Sequence, residues 1–289
     1  MEKLEQKVTV CKTIDQVRET VQRLKREGKR IGLVPTMGAL HEGHISLFRH
    51  AANHADVVIA SIFVNPAQFG PNEDFETYPR RLEEDLDVCR KEGVSIVFAP
   101  DRKDIYNGKK FLSIDIELLN KYLCGASRPG FFEGILLIVN KLFNIIRPDC
   151  AVFGQKDYQQ FKIIEQMVTE FNHPVELVMA PIIRANDGLA LSSRNTYLSD
   201  EERVLAPGLQ RCLQYISDQV KSGVTQPKLL IEHQKAELDA KGFRVDYLGL
   251  YSADLLQPVS QLEKGNRYLV AGAAYLGDTR LIDNLLVNL

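Results

Sequence analysis

From Val8 to Met179 the chain alternates between short runs that are apolar at nearly every position and segments whose apolar residues recur at helical spacing. Val57 to Val64 (VVIASIFV) is interrupted only by Ser61, and Ile31 to Val34 runs apolar up to Pro35. Between such runs, Thr13 to Glu27 carries Ile14, Val17, Val21 and Leu24 on one face, with Thr13 and Gln16 placed as a capping box. His44 to Ala55 reads as a helix, and Arg81 to Glu92 aligns Leu82, Leu86 and Cys89. Val94 to Ala99, Ile135 to Ile146, Ala151 to Phe153 and Asp157 to Phe171 continue the alternation, and Val175 to Met179 closes it. Strands apolar on both faces must be covered on both sides, which predicts an α/β fold with a Rossmann-like parallel sheet. Such sheets bind ligands outside the carboxyl ends of their strands. The loops after Val34, Val64 and Phe153 are therefore the ones to search.

The pattern changes after residue 182. Ser199 and Glu202 form a second capping box before a helix expected to run through Gln219, and Pro227 to Lys241 reads as another. Val245 to Tyr251, Tyr268 to Leu276 and Leu281 to Val287 are β-prone. Two helices and three strands predict a small α+β domain over 183–289, after a Rossmann-like domain over 1–182. The polar stretch Arg184 to Asn195 contains the turn signal Asn186-Asp187-Gly188 and is the expected hinge.

Charge excludes several partners. The 36 basic and 38 acidic side chains leave a net charge of -2, without the positive excess that coating a nucleic acid or holding an anionic membrane requires. No apolar run approaches the ~20 residues of a membrane span. Met1 to Lys7 lacks the apolar core of a signal peptide, so the expectation is a cytoplasmic protein. Its cysteines, Cys11, Cys89, Cys124, Cys150 and Cys212, contain no CxxC pair and read as free thiols.

Four segments carry groups suited to chemistry. Pro35-Thr36-Met37-Gly38-Ala39-Leu40-His41-Glu42-Gly43-His44 joins a strand end to a helix start. Backbone N–H groups there favour anions, two imidazoles can donate to phosphate oxygens, and Gly43 permits close approach of a nucleotide. The alternatives are a loop whose histidines merely cap the helix and, less well supported, a metal site drawing on His50 and His54. The sequence His-Glu-Gly-His is not HExxH, and His50 and His54 read better as surface or packing residues. Asn65-Pro66-Ala67-Gln68-Phe69-Gly70 places amides after the central strand, where they can donate to and accept from a hydroxylated substrate. Gly154-Gln155-Lys156-Asp157 puts a lysine charge between a strand and a helix without a full Walker pattern, and Gln160 follows within a turn. Leu191-Ser192-Ser193-Arg194-Asn195 supplies two hydroxyls and a guanidinium suited to closing over a triphosphate.

Together PTMGALHEGH, SIFVNPAQF, GQKDYQQ and GLALSSRN resemble the pantoate–β-alanine ligase (pantothenate synthetase) family, and the likeness returns at Leu276 to Asn284 (LGDTRLIDN). HxGH alone marks a wider group of nucleotide-binding enzymes. The resemblance implies a ligase that activates pantoate with ATP as pantoyl adenylate, releasing pyrophosphate, and then joins it to β-alanine with release of AMP. It implies that Met37, Gly38, Ala39, Leu40, His41, Glu42, Gly43 and His44 line the ATP site, with His44 the family's catalytic histidine. Gly154, Gln155, Lys156, Asp157, Ile183, Leu191, Ser192, Ser193 and Arg194 would complete the nucleotide contacts. Gln68 and Gln160 would hold pantoate, and Gln68 would also meet β-alanine. The family is typically a cytoplasmic homodimer that uses magnesium, with the smaller domain as a lid. The absence of a nucleophile–base signature agrees, because both nucleophiles come from substrates. His41, His44, Lys156 and Arg194 are then the donors that neutralise phosphate charge.

One position departs from the pattern. Arg128-Pro129-Gly130 is followed by Phe131-Phe132, where the family usually has His-Phe, so no polar role carries over to residue 131, while Arg128 stays a candidate site wall. Magnesium ligands are not evident; Glu84 and Asp85 are candidates, but surface-facing carboxylates are the better reading. The rivals are an HxGH nucleotidylyltransferase, which calls for more basic residues than Gln68 and Gln160 provide, and a catalytically silent binding protein. An aminoacyl-tRNA synthetase fits neither the length nor the charge.

Overall fold

The computed structural model of the protein describes residues 8–71, 73–106, 108 and 112–289. The Met1 to Lys7 segment, with its lack of an apolar core, lies outside them. The chain forms two compact units, each drawing on more than one stretch of sequence. The first comprises residues up to Asp115, then Gly130–Gly154 and Ile163–Pro181; the second comprises Ile116–Pro129, Gln155–Lys162 and Ile182–Leu289.

In chain order the first part of the molecule contains β1 (Thr9–Cys11), α1 (Ile14–Arg26), β2 (Ile31–Thr36), α2 (Glu42–Ala52), β3 (Val57–Ile62), α3 (Leu82–Lys91), β4 (Ile96–Phe98) and α4 (Arg102–Ile105). It continues with α5 (Leu123–Ser127), which belongs to the second unit, then α6 (Phe131–Ile146), β5 (Cys150–Gly154), α7 (Tyr158–Glu170) and β6 (Glu176–Ala180). Among the described residues the six strands form one parallel sheet in the order β1-β4-β3-β2-β5-β6. Val34, Val58, Ala60, Val97 and Val152 of the sheet share one core with Phe48 and Ala51 of α2 and Leu86 and Cys89 of α3. Burying a side chain the size of Phe48 contributes about 1.5–3 kcal/mol, which explains why these strands carry no polar face. The Thr13–Gln16 capping box opens α1 as expected. All five cysteines are buried and free.

The strand order has a functional consequence. From β2 the chain proceeds to β3 on one side, whereas from β5 it proceeds to β6 on the other, so the topological switch lies between β2 and β5. Two of the anticipated loops leave those carboxyl ends, one after Thr36 and one after Gly154.

The second unit adds α8 (Asp200–Leu205), α9 (Gly208–Lys221), α10 (Lys228–Ala240) and an antiparallel sheet of β7 (Arg244–Ser252), β8 (Arg267–Leu276) and β9 (Thr279–Asn288), ordered β7-β8-β9. Leu209, Leu213, Ile216 and Val220 of α9 pack on Val270, Ala274, Leu281 and Val287. The Ser199–Glu202 capping box forms, but the single helix expected through Gln219 is two. Pro207 lacks an N–H, and its ring would meet the Arg203 carbonyl one turn back, so α8 stops at Leu205 and α9 begins at Gly208. No described helix is long and apolar enough to cross a membrane.

Candidate active site

In the first unit, the loop between β2 and α2 is shaped by two consecutive residues in the left-handed region, Gly38 (φ 84°) and Ala39 (φ 51°). A Cβ at Gly38 would sit 2.8 Å from Asp85 Oδ2, so that position requires glycine for space as well as for φ. This conformation aims the Ala39 and Leu40 amides at the Asp85 carboxylate, donating at 3.0 and 2.8 Å. Thr36 Oγ1 accepts from Gly38 N at 3.2 Å and donates to the Ser61 carbonyl at 2.8 Å. Asp85 is only 3% exposed, which corrects its reading as a surface-facing carboxylate; Glu84 is exposed as expected. Burial pushes the Asp85 carboxyl above its ordinary range, against the opposing pull of the two amides. Helical spacing held the signal: residue 85 falls three after Leu82 and four before Cys89, on the apolar stripe.

His41 is the N-cap of α2. Its Nδ1 accepts from Gly43 N at 3.1 Å, and His44 Nδ1 accepts from His41 N at 3.3 Å. A neutral imidazole has one proton, so both rings carry it on Nε2 and act as Nε2–H donors. The rings lie 4.2 Å apart, centroid to centroid. The Nδ1 atoms of both rings are thus engaged in fixing the start of α2. Glu42 turns elsewhere, pairing with Arg49 at 3.8 Å. Helix α2 ends at Ala52, so His54 lies beyond it, half-buried and 3.7 Å from the Glu176 carboxylate; His50 is half-buried as well.

After β3 a 3-10 turn, Pro66–Gln68, presents Gln68. Asn65 organises it. The Asn65 amide is 1% exposed; its Oδ1 accepts from Ala67 N at 3.3 Å and from the Tyr106 hydroxyl at 2.7 Å. Its Nδ2 donates to Gln68 Oε1 and to the Gly134 carbonyl, both at 3.0 Å. Gln68 Nε2 lies 3.1 Å from Met37 Sδ, so the structure brings together two residues from separate motifs. Helix α6 approaches so closely that a Cβ on Gly134 would stand 2.0 Å from the Ala67 carbonyl oxygen. Burial raises the Tyr106 phenol to about 12, keeping it protonated as a donor. The Asn65 amide, expected to meet a hydroxylated substrate, is instead buried and spent on these bonds, and no periodic signature marks its positioning role or that of Tyr106. Phe131 opens α6, half-buried with its ring 4.8 Å from that of Phe132.

In the second unit, Gln155–Asp157 form a 3-10 turn ahead of α7. Lys156 Nζ is 3.8 Å from Asp157 Oδ1, and its side chain is 21% exposed. Gln160 is half-buried in the first turn of α7, beside Gln159, whose amide donates to the Leu119 and Tyr122 carbonyls at 2.7 and 2.8 Å. The expected turn at Asn186-Asp187-Gly188 forms, with Gly188 at φ 94° and Gly188 N donating to the Ala185 carbonyl at 2.9 Å. Leu191 N donates to the Ile183 carbonyl at 2.9 Å, uniting two residues of the proposed nucleotide set. Ser192 caps the 3-10 helix Ser193–Tyr197 by accepting from Arg194 N at 3.3 Å. Asn195 ties this helix back by donating to the Ala190 carbonyl at 3.1 Å. Arg128 is half-buried at the end of α5. Among the described residues no three His, Cys, Asp or Glu side chains gather as a metal cage.

The site motifs lie on a fold with close counterparts. The pantoate-beta-alanine ligase family model matches residues 9–286. Pantothenate synthetase of Pseudomonas putida is 48% identical over 98% of both chains, and that of Alkalilimnicola ehrlichii is 48% identical over 94% of this chain and 96% of its own. Pantothenate synthetase from Thermus thermophilus superposes with a TM-score of 0.90 at 39% identity, covering 98% of this chain and 100% of that one. Pantoate-beta-alanine ligase from Francisella tularensis, solved with beta-gamma ATP and beta-alanine, gives 0.81 at 35% identity over 97% and 98% of the two chains. A match of this extent, in sequence and in fold alike, makes the chain a member of the pantoate–β-alanine ligase family.

Proposed function

We propose that this protein condenses (R)-pantoate with β-alanine to form pantothenate, driven by ATP and passing through pantoyl adenylate. The observation that carries the reading is the β2–α2 loop, where two imidazoles fixed as Nε2–H donors stand at a helix N-terminus beside the topological switch. A pantoate carboxylate oxygen attacks the α-phosphorus of ATP, and the bond to pyrophosphate breaks. The β-alanine amine then attacks the acyl carbon, the carbon–oxygen bond to AMP breaks, and the amine releases a proton as the amide forms. Charge grows on phosphate oxygens in the first step, and His41, His44, Lys156 and Arg194 are the donors that stabilise it. Gln68, gripped by Asn65, and Gln160 orient pantoate, and Gln68 also meets β-alanine; fixing reactants in this way supplies much of the acceleration.

Residues 37–44, 154–157, Ile183 and 191–194 are the ATP contacts in this reading. Magnesium would enter with ATP, on which it commonly keeps phosphate oxygens and water as most of its ligands, and would offset part of the triphosphate charge. The family relationship supports a cytoplasmic homodimer. The purified protein, given magnesium, ATP, pantoate and β-alanine, should yield pantothenate, AMP and pyrophosphate in equal amounts. Formation of ADP, of a dinucleotide, or of no product contradicts the reading.

A further inference from the structure

The LGDTRLIDN segment matches the family without any part in the chemistry above. It forms the end of β8, a two-residue turn and the start of β9. Successive side chains on a strand point to opposite faces, and here both faces hold something. Asp283 is 4% exposed at its side chain and meets the Arg184 guanidinium in a two-pronged pair of 2.6 and 2.9 Å. Arg184 Nη1 also donates to the Gly188 carbonyl at 3.0 Å, which ties the base of the Ile183–Arg194 segment to β9. On the other face, Asn284 Nδ2 donates to the main-chain carbonyls of Gln155 and Lys156 at 3.0 and 2.9 Å, and its Oδ1 accepts from Gln155 Nε2 at 3.3 Å. Asn284 is 4% exposed, so water does not readily replace these bonds.

Resting on the function proposed above, we propose that Asn284 is a positioning residue for adenylation, fixing the backbone from which Lys156 reaches the phosphates. A lysine is a flexible point charge, so its placement depends on where its main chain is held. An amide side chain suits this role because it donates twice, to two adjacent carbonyls, while its oxygen accepts from Gln155.

The test uses the full chain and single-turnover adenylation, measured as pyrophosphate release from ATP and pantoate. Asn284→Ala should slow adenylation or raise the ATP KM on the order of 10–100-fold while leaving the β-alanine KM unchanged. In a Lys156→Ala background the same change should add no more than about twofold, since a positioning residue acts through the group it positions. Near-wild-type adenylation in Asn284→Ala, or losses that multiply in the double variant, overturns the inference. If the alanine variant does not fold, the isosteric Asn284→Asp decides: an ionised carboxylate opposes two carbonyls, whereas a protonated one donates to one of them. In either state it cannot donate to both carbonyls, so it should slow adenylation while leaving the β-alanine KM unchanged, and wild-type adenylation in Asn284→Asp overturns the proposal. Wild-type adenylation in Lys156→Ala alone removes the underlying reading, and the inference with it. A slow Lys156→Ala beside an unaffected Asn284→Ala removes the inference alone.

Discussion

Replacing Asp85 by alanine should cost the protein both stability and adenylation. The substitution orphans the Ala39 and Leu40 amides, which donate to the carboxylate at 3.0 and 2.8 Å. An unsatisfied buried donor costs about 1–3 kcal/mol, and this loop is partly buried, so the pair loses about 2–4 kcal/mol. Part is recovered, because burial disfavours the Asp85 charge and raises its pKa. A chain of 289 residues should then melt lower, by up to about 7 °C. The larger effect falls on catalysis. Ala39 stays at φ 51° against an intrinsic preference for negative φ, and the carboxylate is what holds it there. Released, the loop no longer presents His41 and His44 in register, and misplacement by about 1 Å costs about 100-fold. Pyrophosphate release in a single turnover and a thermal melt measure the two parts. A variant with wild-type adenylation and an unchanged melting temperature would refute the reasoning.

The remaining predictions concern neighbouring positions. Gly38→Ala forces a Cβ to 2.8 Å from Asp85 Oδ2 at φ 84°; a loss of at least about 1–2 kcal/mol and impaired ATP binding should appear in denaturant melts and ATP titrations. Tyr106→Phe removes the 2.7 Å bond to Asn65, worth about 1 kcal/mol, and should raise the pantoate KM about 3–10-fold with the ATP KM unchanged in steady-state assays. Because folding raises the Asp85 pKa, its favourable contribution is fully present below the unfolded value and is lost as pH rises through the folded one. Denaturant melts across pH should therefore show the stability of wild type relative to Asp85→Asn declining as pH rises through that range, and a constant difference contradicts the assignment.

The sheet was legible because parallel strands buried on both faces leave runs such as VVIASIFV, and because helix starts such as Thr13–Gln16 are marked by their caps. The loops after β2, β3 and β5 followed from the rule that such sheets bind ligands at their carboxyl ends. Pro207 was visible too, yet the apolar spacing across it reads as one helix unless the proline is given precedence. Asp85 is the more instructive case. A carboxylate on a helix is usually solvated, and only its place on the Leu82–Cys89 stripe distinguishes it from Glu84. What could not be read is long-range polar pairing. Asn65 with Gly134, Arg184 with Asp283, and Asn284 with Lys156 join residues 69 to 128 positions apart, and no local pattern encodes such bonds.

In the proposed reaction pantoate's own carboxylate attacks the α-phosphate of ATP. Pantoate labelled with heavy oxygen in both carboxylate positions tests it directly by mass spectrometry of the products. Attack at the α-phosphate predicts one labelled oxygen in AMP and the other in the amide carbonyl of pantothenate. Unlabelled AMP, or label in pyrophosphate or inorganic phosphate instead, would contradict it.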